Sequence, residues 1–531
     1  MHLTIMHAIL LSVFIALLMV ENYGYGYWMI SRPIFAGPLL GLIMGDLGTG
    51  LAVGASVELI FMGVLPIGGS VPPNAQIAGL LGTAFAILSG GKPEVGIALA
   101  LPIGILAQFL IMLGWNFNIF LVHRADKHLQ QGEIKKAERT HLGGLLVFFI
   151  VFFIPTFLAI YFGSDLVKQV VNSIPKSLMD GLTVASGLLP AIGMAMLLKM
   201  MNFRKFWPFF LIGFVLAVYL KLDVLAVALL GVGIAAAIYT ISKKDGSELE
   251  NVSAASETLN ESKDQPLLGR KDLLRTFWRS LFSMTSINYE RYISLGFCYT
   301  MIPALRKFYK DKGELQEAIT RHNEFFNCHP YTANAVIGVA LAMEEQKAKG
   351  GPITGDVISA SKAALMGPLS GIGDSVFKAT FMTVFASIGA ALAMDGNWLG
   401  PIIFIVPNLL LNVLSRYYFI SYGYKLGMNL IVKMKQSDVI GKFVQGTTIV
   451  GLMVTGAMIF NFVKVPIQAS WTFGGKKMVL QDLLDKILPG MLPLLLALLF
   501  YWMVRRFKYG IYYAIILCFV LGIAGKLLHI F

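Results

Sequence analysis

The sequence predicts an all-α integral membrane protein, a polytopic helical bundle with broken or re-entrant helices and two related membrane domains. Of its 531 residues, 56% are hydrophobic and only 14% are charged, whereas a typical soluble domain is about 25% charged. The mean hydropathy of +0.71 agrees. Apolar runs long enough to cross a bilayer, about 17–25 residues each, recur along most of the chain. Because a soluble protein this apolar could not cover its surface with polar groups, the bilayer is its expected solvent.

The spanning runs occur on both sides of one polar interruption. The clearest are Leu142–Phe162, Phe206–Ile241, Trp398–Ile420, Ile487–Val504 and Ile511–Phe531. The first apolar segment, Met1–Val20, resembles a signal peptide in length. It lacks a basic start and a small-residue cleavage site before the next apolar segment, so we expect it to remain as a helix.

The positive charge of the chain fits a membrane protein. The formal net charge is +13, and basic clusters such as His123–His141 and Arg505–Lys508 lie between the apolar runs. Cytoplasmic loops of membrane proteins collect Lys and Arg, so we expect no nucleic acid as a partner. The three cysteines form no CxxC pair, which leaves a disulfide framework or a zinc ribbon without support.

A polar segment divides the chain. Residues Lys243–Asp272 are rich in Ser, Glu, Asn and Lys and contain almost no aromatic or long apolar run. Such a segment cannot bury enough apolar surface to offset the entropy lost on ordering. It therefore predicts a flexible linker, without specific contacts, between membrane domains 1–242 and 273–531. The Lys and Arg residues that flank the linker favour a cytoplasmic position.

A carboxylate stands out in the first half. The segment Gly41–Leu59 carries small residues four apart, which permit close helix packing, and it also contains Asp46 and Glu58. Glu58 has apolar neighbours on both sides. Because a carboxylate within an apolar run is costly, it usually marks a site or a water-filled cavity. We predict a functional role for Glu58, whereas Asp46 fits the end of a helix.

The next segment, Gly63–Ala78, predicts a broken helix. Its glycines and prolines interrupt helical structure, and a new apolar helix is expected from Ala75, with Asn74 as its N-cap and Gln76 in the first turn. Helix breaks at membrane depth are typical of transporter binding sites. An amide offers a sugar hydroxyl both donors and an acceptor. Asn74 and Gln76 are therefore candidate substrate ligands, although Asn74 also fits a purely capping role.

The second half repeats this arrangement. In Thr320–Gly338, a polar cluster precedes Pro330 and an apolar helix predicted over Tyr331–Met343. The candidate substrate ligands in the cluster are His322, Asn323, Glu324, Asn327 and His329. A metal site at His322, Cys328 and His329 would lack a second ligand pair at suitable spacing. We therefore expect no metal.

The segment Met366–Lys378 contains further helix-breaking glycines, and it adds Asp374 and Ser375 to the candidate substrate ligands. The chain has no phosphate-binding loop of the pattern GxxxxGK[ST], no GxSxG and no HExxH. We therefore expect no cofactor and no catalytic residue, and a nucleotide-driven pump is unsupported.

These segments carry a family resemblance. Residues 1–242, with their GxxxGDxxxG core and PIGGSVPPNAQIAGLLG, resemble the IIC component of the mannose/fructose/sorbose family of bacterial phosphotransferase systems. Residues 273–531 resemble its IID component through FWRSLFSMTSINYERYISLGFCYTMIPAL, HNEFFNCHPYTANAVIGVALAMEE and GPLSGIGDS. The resemblance covers everything except the linker, and the chain departs from the usual pattern because the two components are fused.

The resemblance implies a function and partners. It implies an elevator-type carrier in the bacterial cytoplasmic membrane that moves a hexose inward, as a homotrimer of the fused chain. A cytoplasmic IIB protein, charged by IIA, would phosphorylate the sugar, and some members serve as bacteriocin receptors. The implied sugar site lies between Glu58, Asn74 and Gln76 of the first half and the 322–329 cluster with Asp374 of the second.

Two other functions stay open from the residues alone. One is an ion-coupled secondary sugar transporter, with Glu58 or Asp374 as the carboxylate that binds the ion. The other is a membrane receptor without a transport role. The sequence does not name the sugar; mannose, glucose, fructose, sorbose and N-acetylated hexosamines are all substrates within the family that it resembles.

Overall fold

The computed structural model describes the chain with gaps. The residues outside the description are 1–3, 65–70, 174–179, 182–183, 186, 201–202, 223, 245–265, 352, 428–438, 468, 474–475, 508–509, 529 and 531.

In the first half, the regular secondary structure of the described residues is all helical. Its helices are α1 Ile5–Tyr23, α2 Pro33–Met44, α3 Leu47–Phe61, α4 Ala75–Leu88, α5 Pro93–Gln130, α6 Ile134–Leu142, α7 Gly144–Ser173, α8 Pro190–Met200, α9 Phe203–Tyr219 and α10 Val224–Lys244. The predicted run Phe206–Ile241 is thus two helices, since the chain turns between Tyr219 and Val224, where Lys221 takes a positive φ of 51°.

The second half is also helical, with one small exception. Its helices are α11 Arg270–Ser280, α12 Ser294–Phe308, α13 Lys312–His322, α14 Ala333–Ala348, α15 Gly355–Gly373, α16 Thr383–Met394, α17 Leu399–Leu426, α18 Val439–Phe462, α19 Leu480–Ile487, α20 Met491–Arg506 and α21 Gly510–Leu527. The all-α expectation omits a short antiparallel hairpin, in which β1 (Ser470–Phe473) pairs with β2 (Lys476–Val479).

Several of these helices are long and apolar enough to cross a membrane. Among the described residues five qualify by length and composition, or six if one bent pair counts as a single span. The bent pair is α19 and α20, which meet at 79°, with Gly490 between them in the left-handed conformation at φ 72°. The bend lies at the start of the run Ile487–Val504, which the sequence predicted as one uninterrupted span.

Helices α2 and α3 cross at glycines. A Cβ atom added to Gly37 would lie 2.8 Å from the Cα of Gly54, and one added to Gly41 would lie 2.8 Å from the Cα of Gly50. The predicted close approach through small residues therefore occurs. Gly45 has a different role, because it ends α2 in the left-handed conformation.

Buried polar side chains join the two halves. Asn118 of α5 donates to the carbonyl of Ile287 (2.9 Å). His141 of α6 contacts the Ser286 hydroxyl (2.7 Å) and the carbonyl of Phe282 (3.0 Å). Most of these partners are backbone carbonyls of the 281–293 segment, which connects α11 and α12. The first half therefore binds the second half at a segment whose carbonyls are not used within a helix.

The end of the predicted linker is folded, which corrects its C-terminal boundary. The N–H of Leu267 donates to Glu345 (2.9 Å), and that of Leu268 donates to the Tyr424 hydroxyl (3.2 Å). Leu268 is buried, and α11 begins at Arg270 rather than after Asp272. The burial of Leu268 stabilises this end of the segment, because it removes apolar surface from solvent. The polar residues that precede it have no comparable side chain to bury. Residues 245–265 lie outside the described residues.

Candidate functional site

A cavity lies between the two halves, with about 120 Å³ of space for the centre of a water-sized sphere. Its walls combine amides, aromatic rings and ionisable groups with apolar side chains. The polar and aromatic lining residues are Asn22, Tyr23, Tyr27, Arg32, Asn74, Gln76 and Trp115 of the first half and Tyr292, Asn327, His329, Ser370, Asp374 and Lys378 of the second. The structure therefore brings together Asn74, Gln76, Asn327, His329 and Asp374 from the predicted ligand set.

The two polar atoms of the Asn74 side chain have different roles. Its Oδ1 accepts from the N–H of Ile77 (2.8 Å) and so caps α4, which begins at Ala75 as predicted. Its Nδ2 is buried without a hydrogen-bond partner among the described residues. A buried amide nitrogen without a partner is costly. The free donor is therefore available to a bound hydroxyl, while Gln76 beside it donates weakly to Asn22 (3.4 Å).

His329 presents a second free nitrogen. Its Nδ1 accepts from the N–H of Tyr331 (3.2 Å), so in the neutral ring the proton resides on Nε2. That Nε2 is buried and has no partner within the described part of the chain. The ring stacks on Phe377, with 5.5 Å between centroids, which fixes its orientation. The imidazole is thus a positioned donor in the cavity wall.

Asp374 begins a change of helical pitch. Helix α15 continues through the predicted break at Gly371–Gly373, and a π-helical stretch, Asp374–Met382, follows it directly. Such π-helical stretches are frequent at functional sites. Within this stretch Asp374 pairs with Lys378 (3.1 Å), one turn later. The side chain of Ser375 lies outside the described residues.

Glu58 lies behind the cavity wall. Its fully buried carboxylate accepts from Arg32, with distances of 3.1 Å to Nε and 2.5 Å to Nη2, and from the N–H of Ile34 (3.4 Å). Arg32 is the member of this pair that lines the cavity. Glu58, predicted as a direct ligand, is therefore placed to neutralise and orient Arg32.

Three residues of the predicted 322–329 cluster lie away from the cavity. His322 bonds Glu344 through Nε2 (2.7 Å), and Asn323 donates to Asp126 (2.7 Å). Glu324 is about half exposed and accepts from Ser359 (3.0 Å). The reason is the end of α13 at His322, after which the chain extends toward Pro330, so only Asn327 and His329 reach the cavity.

The segment Gly26–Arg32, not identified from the sequence, forms part of the cavity wall. The carboxylate of Glu21 accepts from the N–H groups of Trp28, Met29 (3.1 Å) and Ser31 (3.2 Å). From the second half, Asn412 donates to the carbonyls of Gly26 (2.9 Å) and Tyr27 (3.0 Å). One feature of the sequence could have identified this segment as part of a site. Arg32 is a lone cation between apolar runs, directly before Pro33.

Arg416 holds the Asn412 side chain in place. It is almost fully buried, and its Nε donates to Asn412 Oδ1 (2.7 Å). Its Nη1 donates to the carbonyl of Ser280 (2.8 Å) and its Nη2 to that of Gly26 (3.2 Å). One guanidinium thus connects α17, the end of α11 and the cavity wall. The sequence held a signal for Arg416, because it lies inside the predicted spanning run Trp398–Ile420, where a charged residue is costly.

A metal site finds no support. Among the residues that the structure describes, no group of three or more His, Cys, Asp or Glu side chains could hold a metal ion. Cys328 lines the cavity but contacts the hydroxyl of Thr332 (3.6 Å). The cavity wall offers hydrogen-bond donors, acceptors and aromatic faces.

Comparison with known proteins identifies the two halves. Residues 5–237 match the family model of the PTS system sorbose-specific IIC component, and residues 267–531 match that of the PTS system mannose/fructose/sorbose family IID component.

Individual relatives match the same two halves of the chain. The PTS system mannose-specific EIID component of Escherichia coli (strain K12) is 40% identical over 277 residues, which cover 51% of this chain and 96% of the relative. The N-acetylgalactosamine permease IIC component 1 of the same strain is 33% identical over 218 residues, 40% of this chain and 81% of the relative. A solved structure of the mannose transporter ManYZ with microcin E492 aligns at 38% identity over 50% of this chain and 98% of its own, with a TM-score of 0.30.

These matches confirm the predicted resemblance, since each half matches a different component over most of the relative's length. The chain is therefore a multi-pass membrane protein of the mannose/fructose/sorbose phosphotransferase-system family, in which the IIC and IID sugar-transport components are fused.

Proposed function

We propose that this chain carries a hexose across the bacterial inner membrane and releases it for phosphorylation by a separate phospho-IIB protein. The observation that carries the proposal is the cavity between the halves, in which Asn74 Nδ2 and His329 Nε2 are buried without partners among the described residues. Buried polar groups are normally hydrogen-bonded. Two unsatisfied donors, one from each half of the chain, therefore fit a ligand that supplies acceptors to both.

The remaining cavity chemistry fits a neutral sugar. Both cations of the wall are paired, Arg32 with Glu58 and Lys378 with Asp374, so the wall has no net excess of charge from these four groups. Amides and paired ions can exchange hydrogen bonds with hydroxyl groups. Tyr27, Trp115 and Tyr292 add aromatic surface, which suits the apolar face of a sugar ring.

The pairing of these carboxylates favours the phosphotransferase function over the ion-coupled alternative. An ion-coupled carrier of the predicted kind would use Glu58 or Asp374 to bind a proton or a sodium ion. Glu58 receives two hydrogen bonds from Arg32, and Asp374 is 3.1 Å from Lys378. A carboxylate already neutralised by a buried cation has a weaker tendency to bind a further cation.

The phosphoryl group comes from outside this chain in our proposal. The sequence has no phosphate loop, and family membership supports cytoplasmic IIB and IIA proteins as the phosphocarriers. The proposal also includes a homotrimeric assembly and an elevator-type movement of the sugar site, both on the basis of the resemblance. A role as a bacteriocin receptor is part of the proposal on the same basis.

Proteoliposomes test the proposal directly. The full chain is reconstituted in vesicles loaded with phospho-IIB, and radiolabelled hexoses, including mannose, fructose and N-acetylgalactosamine, are added outside. We expect one of them to appear inside as the sugar phosphate, and vesicles loaded with unphosphorylated IIB to yield none. Accumulation of unmodified sugar driven by a proton or sodium gradient would contradict the proposal.

A further inference from the structure

A second cavity, which we call the basic cleft, opens on the surface where α6, α11 and α12 meet. It is open to solvent, and both halves contribute to it. Its ionisable groups are Lys135, Glu138 and Arg139 of the first half and Asp272, Arg275, Arg279, Arg306, Lys307 and Lys310 of the second. Seven of these nine groups are cationic.

Internal pairing neutralises only part of this charge. Arg279 pairs with Glu138 (2.6 Å), and Lys307 pairs with Asp272 (2.7 Å). The other five cations form no ion pair with any residue that the structure describes; they are Lys135, Arg139, Arg275, Arg306 and Lys310. These five side chains are exposed. The cleft therefore has a strong excess of positive charge that faces outward.

The floor of the cleft is rigid. The guanidinium of Arg279 lies 3.6 Å above the ring of Tyr299, and its Nε donates to the carbonyl of the same residue (2.8 Å). The Tyr299 ring packs in turn on buried His141, with 4.8 Å between centroids. Because Arg279 is held by Glu138, by Tyr299 and through this stack, its guanidinium is positioned before any ligand arrives.

The exposed side chains of α7 fix the depth of the cleft in the bilayer. Leu146, Ile150, Ile154 and Leu158 are all exposed and four residues apart, so they form one outward apolar stripe. Such a stripe on a long apolar helix faces lipid chains. The stripe begins one turn after Leu142, which lines the basic cleft. The cleft therefore lies at the level of the lipid headgroups.

Helix α11 is amphipathic, as expected for a helix at the membrane surface. Leu273 and Phe277 are buried against the protein, whereas Arg275 and Trp278 face outward, and Trp278 is 58% exposed. Exposed tryptophan and basic residues on an outer helix face are typical of the membrane interface. Trp278 and Arg275 thus share the outer face of α11, as expected for a helix at the membrane interface.

We propose that the basic cleft binds the phosphate headgroup of an anionic phospholipid, whose acyl chains lie along the exposed stripe of α7. A basic pocket beside apolar helix surface has the chemistry that recognises such lipids. An acidic soluble protein would use the cations but not the neighbouring apolar stripe. Because Lys135 and Arg139 belong to one half and the other unpaired cations to the second, the lipid also joins the two halves.

Native mass spectrometry of the full chain tests this site. The protein is reconstituted in nanodiscs of phosphatidylcholine and phosphatidylglycerol in a three-to-one ratio, and retained lipid is counted after release. The test variant combines Arg139→Gln, Arg275→Gln and Arg306→Gln. The matched control removes three exposed cations elsewhere, with Arg124→Gln, Lys127→Gln and Lys425→Gln. We expect phosphatidylglycerol to bind the test variant at least about tenfold more weakly than the parent, because three cations that attract the anionic headgroup are removed.

The control should retain phosphatidylglycerol as the parent does. Equal retention by the parent and the test variant would overturn the proposal. So would displacement of the lipid by inorganic phosphate at equal concentration, because the site would then be specific for phosphate alone. Loss of binding to IIB without any loss of phosphatidylglycerol would indicate a protein-docking surface instead. If the triple variant fails to fold, the exposed pair Lys135→Gln and Lys310→Gln gives the same test with a smaller expected change.

Discussion

At the scale of single residues, the sugar site depends on donors that are buried and unoccupied. Asn74 Nδ2 and His329 Nε2 line the same cavity from opposite halves and lack partners among the described residues. Each group has a second atom that is fully engaged, Oδ1 in capping α4 and Nδ1 with the N–H of Tyr331. The engaged atom fixes the direction of the free one, so the two side chains are oriented in advance of ligand binding.

We expect substitution of either donor to weaken hexose binding by roughly tenfold or more, because a lost hydrogen bond to a buried partner costs about 1–3 kcal/mol. Asn74→Ser is the informative change, since serine keeps the N-cap acceptor but lacks the amide nitrogen. His329→Ala removes the second donor. Equilibrium binding of radiolabelled hexose to the purified protein measures both effects.

Two residues of the same types give the controls. Asn116 donates to its own helix at the carbonyl of Met112 (2.9 Å) and is exposed, and His123 forms an exposed pair with Glu290. Asn116→Ala and His123→Ala should bind hexose as the parent does. Parental binding by both Asn74→Ser and His329→Ala would place the sugar site elsewhere.

At the scale of elements, the crossing of α2 and α3 keeps the Arg32–Glu58 pair in position. Arg32 immediately precedes α2, and Glu58 lies in α3. The two helices approach at Gly37 and Gly54 without room for a side chain. The glycines near Glu58 thus have a packing role that supports the site indirectly, by bringing the carboxylate within reach of Arg32.

Two alanine substitutions in α3 separate this packing effect from helix propensity. A Cβ on Gly54 would lie 2.5 Å from the carbonyl oxygen of Pro33, whereas one on Gly48 would meet only Asp46 Oδ1 at 3.8 Å. Overpacking costs typically 1–3 kcal/mol, and alanine in an open helical position gains up to about 1 kcal/mol. We expect Gly54→Ala to lower the thermal unfolding midpoint in detergent and Gly48→Ala to leave it equal or higher. Equal midpoints for the two variants would refute the close crossing.

At the scale of the whole molecule, the two halves have an extensive polar interface of their own. Asn118, His141 and Arg416 each bond backbone carbonyls or a hydroxyl across it. Because these groups are buried, separation of the halves would break their hydrogen bonds, and any group that stayed buried without a partner would lower the stability. A flexible tether of the kind predicted from the sequence would add local concentration, about millimolar for a short linker, which matters little for an interface that is already stable.

Separate expression of the halves tests this view. Residues 1–250 and 265–531, produced as two chains in one cell, should co-purify and restore hexose uptake. The second chain keeps Leu267 and Leu268, whose backbone bonds to Glu345 and Tyr424 belong to its fold. A version that starts at residue 273 is the comparison, and we expect it to be less stable because these bonds and part of α11 are lost. Insertion of both halves without association would show that residues 251–264 have a structural role.

Local chemistry allowed several details of the site to be predicted from the sequence. Asn74 caps α4, Asp46 caps α3, and α4 starts at Ala75, because capping and helix breaks depend on neighbours in the chain. The 322–329 cluster was predicted less well. His322, Asn323 and Glu324 are as polar as Asn327 and His329, and only the end of α13 separates those that reach the cavity from those that do not.

The sequence by itself determined the membrane-helical class, the family and the polar segments from which the site is built, since composition, apolar run length and long motifs are properties of the linear chain. The tertiary structure decided which side chains meet. It placed Arg32 between Glu58 and the cavity, and it brought Asn412 and Arg416 against a segment almost 400 residues earlier in the chain. Such contacts depend on how helices cross in three dimensions, and no local pattern of residues encodes them.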